Sequence, residues 1–82
     1  MSWNYRVMKR TFETPAGYTE IQHAVYEVYY DEDGSVNAWS MNPTYIAGET
    51  LDELKDDLKR YSAAFDKPIL DWNELEKQLE GE

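Results

Sequence analysis

Cysteine is absent from this chain, which excludes a disulfide framework and any thiolate metal site. Histidine occurs once, at His23, so a zinc site would have to be built almost wholly from carboxylates, against that ion's habit. Long apolar runs are also missing, and none approaches the roughly 20 residues a membrane span needs. The opening "MSWNYRVMKR" holds no signal-type apolar core and is polar by Arg6, so a cytoplasmic setting and no membrane contact are expected. There is no glycine-rich phosphate cradle, nucleophile elbow or twin-cysteine pattern. Asp31, Glu32 and Asp33 precede Gly34, yet their spacing is not that of a calcium loop. Neither a catalytic residue nor a cofactor nor a metal is therefore expected, and the chain reads as a non-enzyme.

Basic residues are scarce: 8 Lys and Arg stand against 17 Asp and Glu, for a net charge of −9 in 82 residues. The imbalance is local. Residues 1–30 carry Arg6, Lys9 and Arg10 against Glu13, Glu20 and Glu27, while residues 31–82 hold 14 acids and 5 bases. Such a surface repels phosphates, so direct nucleic-acid binding is not expected. It maintains solubility or meets a basic partner. The length fits one small domain, 1–82, of marginal stability unless further contacts support it.

What is present is pattern. Trp3, Tyr5 and Val7 alternate with polar neighbours, a strand period; Met8 and Phe12 fall on the other parity, as a bulge near Lys9 would produce. "TPAGY" is a turn. "EIQHAVYEVYY" (20–30) is β-branched and aromatic, "DEDG" suits a hairpin with Gly34 in the left-handed region, and "SVNAWSM" returns as a third strand ended before Pro43. This predicts an α+β fold in which a three-stranded antiparallel meander supports one long helix.

That helix begins at "GETLDEL". Thr50 caps it with Glu53 three residues on, and Leu51, Leu54, Leu58, Tyr61 and Phe65 form an apolar stripe. Asp56 and Arg60 are spaced as an i,i+4 ion pair, and Pro68 closes the element. The stripe is expected on the Ala24, Tyr26, Val28 and Tyr30 face. A short C-terminal helix starts at an Asp71 cap, with Trp72, Leu75 and Leu79 on one face. Ile69 and Leu70 either lead into it or add a brief fourth strand.

The second strand is apolar on both parities, and one helix covers one face. Ile21, His23, Val25 and Tyr29 are therefore the candidate protein-interface residues. A second copy of the chain, making a homodimer or higher oligomer through this open sheet face, is the simplest cover; the tail helix or a foreign partner are the others.

The order of strands and helix resembles the HicB-like antitoxin family across roughly residues 20–66. The residues that carry the likeness are Asp31 to Gly34, Val36 to Met41, Pro43, and then Gly48, Thr50, Glu53 and Leu54. The family's proline-rich loop is shortened here to "NPTYIAG", and its DNA-binding module has no counterpart after the helix. The resemblance implies a truncated ribonuclease-H-like fold, self-association, and neutralisation of a small basic RNA-cleaving toxin. The alternative is a small structural or regulatory homo-oligomer unrelated to toxins.

Overall fold

The computed structural model describes residues 2–80, without the side chain of Glu80. Two long strands, β1 (Ser2–Glu13) and β2 (Thr19–Tyr30), form an antiparallel hairpin. Their register runs unbroken from Ser2 opposite Tyr30 to Glu13 opposite Thr19. The expected bulge near Lys9 is therefore not there, and Met8 points to the face opposite Val7 by ordinary strand alternation. The connecting turn is held by the Gly17 N–H donating to Thr14 O at 2.9 Å, with Gly17 at φ 89°. Asp31 to Gly34 repeats this design, its Gly34 N–H donating to Asp31 O at 2.9 Å and Gly34 at φ 87°. Both glycines occupy a region that a side chain disfavours. β3 (Val36–Trp39) then pairs antiparallel with β2, with a register shift between Tyr29 and Tyr30.

The sheet does not end there. β4 (Leu70–Asp71) pairs parallel with Met8 and Lys9 of β1, giving a four-stranded mixed sheet of order β3-β2-β1-β4. This replaces the expected three-stranded antiparallel meander. Side chains brace the added edge. Arg6 donates to the Pro68 carbonyl at 2.6 Å and to the Tyr30 hydroxyl at 3.0 Å. Beyond β4, the Asn73 amide continues the ladder by accepting from Thr11 N–H and donating to Thr11 O, both at 2.9 Å. A side-chain amide here does the work of a strand residue.

Two helices cover the two sheet faces. α1 (Leu51–Ala63) and the 3-10 turn that follows it (Ala64–Asp66) lie on the odd-numbered face, where Tyr5, Val7, Val25 and Ala64 are buried with Tyr61 packed against them. α2 (Trp72–Glu80) lies on the even-numbered face, where Trp72 joins Met8, Tyr26 and Val28. The expected seating of the long helix on Ala24, Tyr26, Val28 and Tyr30 is thus reversed: the short helix takes that face. Trp72 explains why. Its indole packs at 5.2 Å from the Tyr26 ring and 5.4 Å from that of Trp39, and the Arg10 guanidinium lies 4.3 Å from the indole centroid. Burying a large apolar side chain contributes roughly 1.5–3 kcal/mol, so a tryptophan secures even a nine-residue helix. With both faces covered, β1 must be apolar on both parities, which accounts for Met8.

Local signals set both helix starts. The Thr50 hydroxyl accepts from Glu53 N–H at 3.1 Å, while the Glu53 carboxylate reaches back to Glu49 N–H at 2.8 Å. Asp71 accepts from Glu74 N–H at 3.1 Å. Gly48 lies so close to the first turn of α1 that a Cβ there would sit 2.6 Å from the Leu54 nitrogen. Among the described residues, no helix is long and apolar enough to cross a membrane.

Candidate protein-interaction surface

Ile21, His23, Val25 and Tyr29 share the odd-numbered face, opposite Thr11, Lys9, Val7 and Trp3 respectively. They do not share one environment. Val25 is only 4% exposed and belongs to the core beneath Ala64. Tyr29 is half-buried and donates its hydroxyl to Glu27 at 3.0 Å; that bond to a carboxylate is the first cause raising its pKa. His23 and Ile21 are exposed, Ile21 at 57%. The face is thus divided, covered at Val25 and open toward the hairpin turn.

The boundary falls where α1 ends. A pocket of about 300 Å³ opens there, lined by Val7, His23, Val25, Pro43, Tyr61 and Phe65, among others. Pro43 arrives because the chain after β3 stays beside β2: Ser40 N–H donates to Glu27 O and Thr44 N–H to Val25 O, each at 2.9 Å. Beyond Val25 that escort stops. Residues Thr19 to His23 are all exposed, as are Phe12 and Tyr18 on the same arm.

The helix also leaves apolar surface in water. Leu51, Leu58 and Phe65, from the expected stripe, are 65%, 48% and 66% exposed. Leu54 and Tyr61 of that stripe do turn inward, and Asp57 and Ala64 complete the inner line at three- and four-residue spacing. Asp57, 7% exposed, anchors the helix. It accepts from the Tyr5 hydroxyl at 2.8 Å, Ala47 N–H at 3.0 Å and Arg60 at 3.3 Å. Arg60 pairs with this aspartate, three residues back, and not with Asp56.

These bonds set two titrations. The Ala47 amide and then the Tyr5 hydroxyl stabilise the charged carboxylate, lowering the Asp57 pKa. Burial and then the same carboxylate push Tyr5 up to about 12. Reading the sequence for charge alone misses Asp57. Its signal is position: it lies three residues after Leu54 and four before Tyr61, inside the buried line.

The described residues hold no group of three or more His, Asp or Glu side chains able to grip a metal ion. The exposed arm and the outer side of the helix leave apolar side chains in solvent. No family model, no curated protein and no solved structure matches this chain.

Proposed function

We propose that the chain is a non-catalytic protein-binding domain, similar to a minimal HicB-like antitoxin, which holds and neutralises a small basic RNA-cleaving protein in the cytoplasm. On this reading the sheet and α1 are a truncated ribonuclease-H-like fold. The observation that carries it is the outer face of α1. Leu51 and Leu58 of α1 and Phe65 of the turn after it repeat every seven residues in solvent, within residues 31–82, which hold 14 acids and 5 bases. An exposed apolar line in an acidic half of the chain suits a basic partner.

A second reading, a small structural or regulatory homo-oligomer unrelated to toxins, has its own observation: the exposed Phe12, Tyr18 and Ile21 on the hairpin arm. Co-purification from native cells, followed by an RNA-cleavage assay on whatever is retained, separates the two. A small basic protein whose RNA cleavage the chain suppresses supports the first. Recovery of the chain only with copies of itself overturns it in favour of the second.

A further inference from the structure

We propose that the free edge of β2, Thr19 to His23, docks antiparallel against the same segment of a second copy. This deepens the homo-oligomer reading by naming its surface and register; it does not depend on the antitoxin reading.

The edge follows from the hydrogen-bond pattern. Along an antiparallel strand, backbone groups of alternate residues point to opposite sides. Val25 and Glu27 turn their carbonyls away from β1, because those carbonyls accept from Thr44 and Ser40. Thr19, Ile21 and His23 share that parity, so their N–H and C=O groups also point outward. β3 pairs only with Val28 to Tyr30, and the chain after it last bonds β2 at Val25. Among the described backbone hydrogen bonds outside the ladders, none engages Thr19, Ile21 or His23. Proteins keep such an edge single with charged side chains, Lys above all, with Pro or with a bulge. "TEIQH" has neither Lys, Pro nor a bulge, and its one charge is Glu20.

The occupant is argued from charge and pairing. A copy carrying −9 is repelled by another at most approaches, but residues 1–30 balance three bases against three acids. The arm is the neutral part of an acidic molecule, so two copies meet there at least electrostatic cost. Pairing about Ile21 sets Thr19 opposite His23 of the second copy, Glu20 opposite its Gln22, and Ile21 opposite its own equivalent. No like charges stand directly opposite. The two sheets become one.

The paired segment ends at His23, because past it the edge is closed by Thr44 on Val25.

Because the chain has no cysteine, one introduced thiol reports the register. Opposed residues at the centre of an antiparallel pair have Cα atoms about 5.5 Å apart, within reach of a disulfide. Two Thr19 positions would instead be roughly four residues out of step, about 13 Å apart. The experiment combines sedimentation of the full chain over a concentration series with oxidation of Ile21→Cys and Thr19→Cys. The expected result is a wild-type dimer and efficient cross-linking of I21C but not T19C. A monomeric wild type overturns the proposal. So does a dimer in which I21C does not cross-link, or in which T19C does so as readily; that result would leave self-association standing with a different register.

Discussion

Replacing Asp57 by alanine removes a side chain that bonds α1 to both β1 and the loop before the helix. The Tyr5 hydroxyl, in a side chain 7% exposed, loses its acceptor; a buried donor left unpaired costs about 1–3 kcal/mol. The Ala47 amide also loses its acceptor, but Ala47 is exposed, so water recovers most of that bond. Arg60 is 58% exposed, and its ion pair contributes only about 0.5 kcal/mol. The total is about 1.5–3.5 kcal/mol. A domain of this size has roughly 4–12 kcal/mol to lose, and the melting temperature should fall by about 10–25 °C. The assay is thermal and urea unfolding followed by tryptophan fluorescence, run as a double-mutant cycle with Tyr5→Phe. In the wild type, Y5F removes a hydrogen bond to a charged group, costing about 1.5–3 kcal/mol. On the D57A background it should instead restore stability, by up to about 1–3 kcal/mol, because it removes the orphaned donor. Additive losses would refute the claim that these two residues act as a unit.

The same pair predicts a pH dependence. Asp57 titrates lower in the folded state than unfolded, so its stabilisation is complete above its ordinary pKa of 3.8 and is lost as pH falls through the folded value. Tyr5 is shifted upward, so its contribution is complete below 10.0 and is lost as pH rises from there through about 12. Unfolding free energy measured against pH should lose the acid limb's Asp57 contribution in D57A and the alkaline contribution in Y5F. Trp72→Ala should cost about 3–5 kcal/mol and release α2, whereas Leu58→Ala, on the exposed side of α1, should stay under about 1 kcal/mol by urea unfolding. Thr50→Ala should lose roughly 1 kcal/mol and Thr50→Ser almost nothing; equal losses in melting experiments would remove the cap.

Short-range chemistry was legible in the sequence. Thr50, Asp71, Gly34 and the "TPAG" turn each act on a backbone group within a few residues, and each appears where its pattern places it. Long-range choices were not legible. β2 is apolar on both parities, so periodicity could not decide which helix takes which face. Trp72 decides it from 46 residues beyond Tyr26 in sequence, through ring packing. The rotation of α1 escaped for a related reason. A charged residue reads as surface, yet Asp57 faces inward because Tyr5, 52 positions away, supplies a buried donor. That rotation turns Leu51, Leu58 and Phe65 into solvent. β4 was one of two options, since a two-residue parallel strand has no period of its own. Of the candidate interface residues, Ile21 and His23 lie on open surface, while Val25 is taken by the chain's own core.

The central claim is that this molecule covers both faces of its sheet around Val25 and Tyr26 by itself and leaves an edge of β2 for a partner. Amide hydrogen exchange on the wild-type chain, at concentrations spanning self-association, tests it residue by residue. Gln22 and Ala24 face β1 and should be protected at every concentration. Thr19, Ile21 and His23 should exchange freely when dilute and become protected as the concentration rises. Exchange at those three amides that does not change with concentration would contradict the account.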